Sequence, residues 1–347
     1  MTKEFLTSIT TEAFLSPEGQ NRFVANDQNL LYPNPSALDE RKSILKEAGM
    51  NEGSQFWNET IRGVLREYEF LGRIVGKCLY EGILIDISFA GFFLLKWALS
   101  GNVAQYRANI NDLRDLDEDL YRGLLKLKNY PGDVQEFGLD FTIDDVVSSP
   151  GEPVRTVTRD LLPNGSNIPV TKENRISYIS LVTRHRLQIQ PFHQTQAFLR
   201  GLGEIIKPTW LSMFNQSELQ TLIGGATSEL DIDDLRRNTE YGGVYSIGDD
   251  GQEHSTVRFF WQVMKELNDT DRRKVLKYVT STPRAPLLGF AQLNPKFSIR
   301  DAGRDQTRLP STSTCVNLLK LPMYSTKRVL KEKLLYAVNA GAGFDLS

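Results

Sequence analysis

The feature that most limits what this chain can fold into is a change of period at Leu222-Ile223-Gly224-Gly225-Ala226-Thr227-Ser228-Glu229. Upstream, apolar residues recur at three and four, the spacing of buried helix faces. Downstream, helix-length periodic segments alternate with short apolar runs of strand length. Two glycines end the upstream pattern, and Asp231 stands where it can cap the next helix. A chain of 347 residues accommodates about two domains, and this segment is the expected boundary between them. A plain turn and a hinge both fit Gly224 and Gly225, since a hinge is only a few terminal residues that absorb backbone change.

Residues 1–40 read as irregular, and Leu31-Tyr32-Pro33-Asn34-Pro35 must be extended or turned, because a residue before proline avoids the helical region. Trp57 to Tyr80 is predicted helical, with Ile61, Val64, Leu65, Tyr68, Leu71, Ile74 and Val75 on one face. The most apolar window, Ile83 to Leu99, is broken by Asp86 and Lys96 and is short for a membrane span, so it reads as a core helix. Asn111 to Lys128 begins acidic and ends basic, as a helix dipole favours. Its stripe of Leu120, Leu124 and Leu127 suits either core packing or a partner groove. A strand is expected within Phe137–Val147, and a helix over Lys172–Ile206 split at Pro191. Beyond the boundary come helices at Thr256–Leu267 and Asp271–Val279. Strand-like runs follow at Leu287–Leu293, Phe297–Ile299 and Cys315–Leu321, then a last helix capped by Ser325 or Thr326 and ended by Gly341. This makes an α/β unit of about 115 residues.

Net charge is −2, which gives no footing for nucleic-acid binding. Two cysteines make no disulfide framework and fit a reducing compartment, the cytoplasm or nucleus. Met1 to Ser16 lacks the apolar core of a targeting signal. The three histidines are scattered, no Cys/His set has metal-ligand spacing, and no cofactor or membrane partner is expected.

Chemistry concentrates on one thiol. Cys78 falls inside a helical pattern and reads as a buried structural residue. Cys315 instead follows Leu309-Pro310-Ser311-Thr312-Ser313-Thr314, read as a polar loop, and precedes Val316 to Leu321, read as a buried strand. A thiol at such a junction can be both held and reached. The nearest histidine in sequence is His254, so a Cys–His hydrolase pair is not signalled, and there is no Cys-x-x-Cys pair. A lone cysteine without an evident base works best on an activated acyl group such as a thioester, where alignment matters more than strong base catalysis. A cysteine hydrolase using Cys315 and a non-catalytic docking module remain the alternatives.

The residues around Cys315, Leu-Pro-x-x-x-Thr-Cys followed by an apolar run and a chain end in Gly343-Phe344, resemble the catalytic domain of HECT-type ubiquitin ligases. Leu31–Pro35, Phe70–Gly76, Leu162–Gly165, Ile168–Thr171, Asn174-Arg175, Phe259–Trp261 and Arg284–Phe290 extend the resemblance, in order, across nearly the whole chain. It implies an α+β, bilobal fold: a mainly helical N-terminal lobe over 1–224 with a small subdomain at about 116–190, a flexible hinge at 225–230, and an α/β catalytic lobe over 231–347. By the resemblance, Cys315 takes ubiquitin as a thioester from a ubiquitin-conjugating enzyme and passes it to lysines of protein substrates or of ubiquitin. Leu120, Leu124, Leu127, Tyr130, Phe137 and Tyr178 match the conjugating-enzyme groove, and Gly224 and Gly225 the hinge. Thr314, Phe344 and Asp345 match positions that support transfer. Ser313 stands where many members have histidine, which removes any histidine-dependent role there. The Ser-Thr-Cys form with Asn317-Leu318-Leu319-Lys320-Leu321-Pro322 is similar to the proteasome-associated, chain-elongating subgroup, which implies the proteasome as a further partner.

Overall fold

The computed structural model describes residues 2–15, 22–99, 105–148, 154–247 and 251–340. The chain divides into two compact units. One is Thr10–Lys77 with Ile87–Leu219; the other is Met1–Ile9, Cys78–Asp86 and Gln220–Ser347.

The chain opens with a helix, α1 (Thr2–Leu15), where irregular structure is expected from sequence. Leu6, Thr10 and Phe14, four residues apart, are buried. With a threonine in the middle of its apolar face, the period is hard to read. A short antiparallel ribbon follows, β1 (Phe23–Ala25) with β2 (Leu31–Pro33), its second strand held extended by proline as predicted. Next come α2 (Ala37–Glu47) and α3 (Gln55–Glu81), the long helix predicted from its period. Trp57, Val64, Tyr68, Leu71, Ile74, Val75 and Cys78 are buried along α3. Gly72 permits a close approach: a Cβ there would lie 2.0 Å from the Phe198 carbonyl oxygen.

The window Ile83–Leu99 corrects the expected core helix. Gly82 takes a left-handed conformation (φ +66°) after α3, and the chain runs extended with Ile83, Ile85, Ile87 and Phe89 buried in alternation. That is a period of two, which an apolar count alone does not separate from a buried helix. Helix resumes only as α4 (Gly91–Leu94). Phe89 and Phe93 join Phe14, Phe23, Trp97 and Phe198 in a tilted, edge-on aromatic core. Lys96 is buried beside it, donating to the Leu187 carbonyl, with its ammonium 4.9 Å from the Tyr106 ring centroid. Burial lowers its pKa to about 7, against the raising influence of Asp112.

The predicted helix over Asn111–Lys128 is two elements. A 3-10 turn (Ile110–Asp115) precedes α5 (Glu118–Asn129), because the Asp117 side chain accepts from the Leu120 N–H and starts a new helix. The hairpin β3 (Thr142–Val146) and β4 (Thr156–Asp160) holds the predicted strand. Buried Asp145 on β3 receives Arg159 (2.8 Å), His185 (2.9 Å) and Arg186 (3.0 Å). Burial alone would raise its carboxyl, but the His185 hydrogen bond and the neighbouring cations bring it below the usual range. Helices α6 (Arg175–Arg184) and α7 (Phe192–Ile205), joined through a π-turn at His185–Ile189, reproduce the split at Pro191. Then come α8 (Pro208–Leu211) and α9 (Gln216–Gly224).

Gly225 ends α9 at φ +86° with its N–H on the Thr221 carbonyl, and a Cβ there would lie 2.6 Å from the Ala285 carbonyl oxygen. The rest of the second unit comprises α10 (Ile232–Arg237), β5 (Glu240–Gly242), α11 (Ser255–Glu266), α12 (Asp269–Thr280), β6 (Ser298–Asp301), β7 (Ser311–Ser313), β8 (Leu318–Leu321) and α13 (Lys327–Asn339). The sheet order is β5-β6-β8-β7, parallel except for the antiparallel β7–β8 edge. Asp231 caps α10 and Thr326 caps α13, as predicted; Gly341 lies outside the described residues. Phe260, Trp261, Met264, Val275, Ile299, Leu319, Leu330 and Leu334 form the core. Leu287–Leu293, expected as a strand, is instead a turn and a 3-10 element, with Gly289 at φ +86° and Leu288 exposed. No helix among the described residues is long and apolar enough to cross a membrane.

Candidate active site

Sequence reasoning makes the residues before Cys315 a loop and Cys315 the start of a strand. The structure makes both flanks strands and Cys315 part of the turn between them. Ser311–Ser313 pairs antiparallel with Leu318–Lys320, and Thr314–Val316 forms one 3-10 turn. The polar residues of β7 hide a strand because only Thr312 is buried, at 2% exposure. Asn317 closes the turn in the left-handed region (φ 51°), a conformation Asn tolerates better than most residues. Its N–H reaches back to the Thr314 carbonyl (3.3 Å), and its own carbonyl accepts from the Ser298 N–H (2.9 Å).

The hairpin is braced from beneath. The Tyr278 hydroxyl of α12 donates to the Pro310 carbonyl (2.7 Å), fixing the entry to β7. Leu319 is fully buried opposite Thr312. The Asn317 side chain, itself fully buried, donates to the Pro295 carbonyl. It accepts from the ammonium of Lys3 on α1, and that ammonium also donates to the Thr280 carbonyl (2.9 Å). Burial lowers the Lys3 pKa to about 8, an effect that the neighbouring Cys315 opposes. Sequence reasoning missed both residues. The one readable signal for Asn317 is an amide inside the apolar run after Cys315; Lys3 lies in the segment read as irregular.

The two thiols differ as expected. Cys315 is partly exposed, whereas Cys78 is buried and pushed up to about 12 by that burial. Among the described residues no hydrogen bond joins Cys315 to a histidine. His254 caps α11 by accepting from the Thr256 N–H (3.2 Å), and His185 pairs with Asp145. Thr314 lies in the turn beside the sulfur-bearing residue and is partly exposed. Phe344 and Asp345 lie outside the described residues. Gly224 is the last residue of α9 and Gly225 follows it in the turn already described.

In the other unit, Leu120, Leu124, Leu127, Tyr130, Phe137 and Tyr178 line a single groove of about 860 Å³. Leu124 and Leu127 are buried on α5 and form its floor; Phe137 is 50% exposed at its edge. The Phe137 ring meets Tyr130 edge-on at 4.7 Å, and Tyr178 meets Phe141 at 5.6 Å. Arg175 of α6 donates to the Tyr130 carbonyl (2.7 Å), so a cation sits at the C-terminal end of α5, where the helix dipole favours it. Two members of the leucine stripe are packed as core residues are, and all three line the groove.

The HECT-domain (ubiquitin-transferase) family model matches residues 7–347. The whole chain is 47% identical to a probable E3 ubiquitin protein ligase of Schizosaccharomyces pombe and 44% identical to E3 ubiquitin-protein ligase HUL5 of Saccharomyces cerevisiae. Over 99% of its length it is 36% identical to Ubiquitin-protein ligase E3B of Homo sapiens. It spans 30%, 34% and 32% of those three relatives. With the family model covering nearly every residue, the chain belongs to the HECT-domain (ubiquitin-transferase) family.

Proposed function

We propose that this chain is the catalytic part of a ubiquitin-protein ligase, with Cys315 as the residue that carries ubiquitin. The observation that supports this most is the hairpin: a partly exposed thiol on a one-turn tip whose neighbours are locked by buried hydrogen bonds. The Cys315 thiolate attacks the carbonyl of ubiquitin's C-terminal thioester on a conjugating enzyme, and the enzyme's own thiolate leaves. One thioester replaces another, so the step is near thermoneutral and depends on alignment. A lysine amine of a substrate or of another ubiquitin then attacks the new thioester, the C–S bond breaks, and the proton given up by the amine ends on the departing Cys315 thiolate, directly or through solvent.

The groove of Leu120, Leu124, Leu127, Tyr130, Phe137 and Tyr178 is our candidate dock for the conjugating enzyme. A packed leucine floor with an exposed aromatic edge suits a reversible partner. Residues 225–230 are our candidate hinge between an N-terminal and a catalytic lobe, because the thiol must meet two different partners. Thr314, Phe344 and Asp345 are the candidates for ordering the thioester and guiding the amine. The Ser313-Thr314-Cys315 form and the run Asn317–Pro322 are our ground for the chain-elongating subgroup with the proteasome as a partner, and the two-cysteine composition is our ground for the cytoplasm or nucleus as the site of action.

The test is charging with ubiquitin, activating enzyme and a panel of conjugating enzymes. The reading predicts a ubiquitin adduct that thiol reductant removes, that Cys315→Ala abolishes, and that Cys315→Ser converts to a reductant-resistant ester. An adduct that survives in Cys315→Ala, or no adduct with any conjugating enzyme, would overturn it.

A further inference from the structure

We propose that Lys3, on α1, is a positioning residue for the Cys315 thiol, acting through the side chain of Asn317. The proposal rests on Cys315 being the ubiquitin-carrying residue. Asn317 is the residue on which the turn depends: it takes the left-handed conformation that reverses the chain two residues after Cys315. An asparagine tolerates such a conformation, and fixing its amide in tertiary hydrogen bonds holds the side chain in one arrangement in place of shifting local bonds to the backbone. Here both ends of the amide are engaged. The Nδ2 group donates to the Pro295 carbonyl, and Oδ1 accepts from the Lys3 ammonium. The amide is fully buried, so water cannot replace either partner at no cost.

The other end of the link is equally fixed. Lys3 is only 9% exposed, and its ammonium makes a second hydrogen bond to the carbonyl of Thr280, the last residue of α12. The C-terminal end of a helix is a favoured place for a cation. Leu6, one turn further along α1 and 3% exposed, packs the same helix inward. A lysine on the surface would keep its head in water. Burying it is costly, as its lowered pKa shows, and the cost is offset only where the charge is bound. Charge-assisted hydrogen bonds of this kind are about twice as strong as neutral ones. The result is a strut running from α1 through Asn317 to the turn that carries the sulfur.

The strut shares no residue with the candidate groove, whose residues lie on α5, α6 and the Tyr130–Phe137 segment, and the proposal assigns its effect to the chemical step. The decisive experiment measures single-turnover transfer from a ubiquitin-charged conjugating enzyme, at varied concentration, to the wild-type chain and to Lys3→Met, Lys3→Gln and Lys3→Arg. The expected result for Lys3→Met is a fall in kcat of about ten-fold, since misplacing a reacting atom by about 1 Å can cost a hundred-fold. KM stays within about two-fold, the pattern of an interaction that acts on the transition state. Lys3→Arg, which keeps the cation and its donors, recovers most of the rate, and a purely structural role for α1 would not separate Arg from Gln. Should Lys3→Met fail to fold, the Gln and Arg pair carries the comparison. A wild-type kcat in the neutral variants, a faster kcat, a defect confined to KM, or equal defects in Gln and Arg would each overturn the proposal. If the wild-type chain itself never becomes charged, the reading of Cys315 fails instead, and the two failures are distinguishable.

Discussion

Replacing Phe137 with alanine is the sharpest probe of the groove, because that ring is the most exposed of the six residues assigned to it. Leu124 is a poorer target. At 5% exposure, a Leu124→Asp carboxylate would be buried without a partner, and lost charging could then follow from lost structure. Phe137 is 50% exposed. A phenylalanine offers about 150–250 Å² in all, so roughly 100 Å² remains for a partner to cover. At about 25 cal/mol per Å² this is about 2.5 kcal/mol, or somewhat under a hundred-fold in an equilibrium constant. Ordering of side chains on association reduces the yield. The expected rise in the half-saturating concentration of charged conjugating enzyme is therefore about ten- to fifty-fold. Within the fold the change removes one edge-on contact with Tyr130, about 0.5–1.5 kcal/mol, so the protein remains folded. The assay is the initial rate of Cys315 adduct formation against conjugating-enzyme concentration, with thermal unfolding measured in parallel. A folded Phe137→Ala protein whose half-saturation lies within about two-fold of wild type refutes the assignment, as does a fall confined to the plateau rate.

Two further predictions test burial and charge. In the native protein iodoacetamide labels Cys315 and spares Cys78, which is 1% exposed and pushed up to about 12 by burial; in denaturant both label, and mass spectrometry of the peptides reads the difference. Native labelling of Cys78 would contradict the packing of α3. Lys96, lowered to about 7 by burial, has released its proton in the folded chain across pH 7 to 10.5 while the unfolded chain retains it, so its contribution to stability improves as pH rises through that window. Relative to Lys96→Met, the wild type should gain about 2 kcal/mol toward urea between about pH 7 and pH 9. A pH-independent difference would show that the ammonium is better solvated than its surroundings indicate.

Much of the helical framework was legible because it obeys one-dimensional rules. The period of Trp57–Tyr80, the break at Pro191 and the caps at Asp231 and Thr326 depend on neighbours within a few residues, and each appears where the sequence puts it. The failures share a cause. Ile83–Ala90 has an apolar count that suits a helix or an extended run, and only its surroundings choose between them. The polar Ser311–Ser313 becomes a strand because β8 offers it an edge to pair with. Composition therefore misleads where pairing decides.

By itself the sequence singled out Cys315 as the candidate nucleophile, the chain's family and the residues of the candidate groove, because a motif is a property of order along the chain. Only the tertiary structure decided that Cys315 sits in a turn between two strands, that Leu124 and Leu127 are floor while Phe137 is edge, and that Lys3 reaches Asn317. Such pairings join residues up to hundreds of positions apart. Burial and hydrogen-bond satisfaction select them, and neither is written in any local stretch.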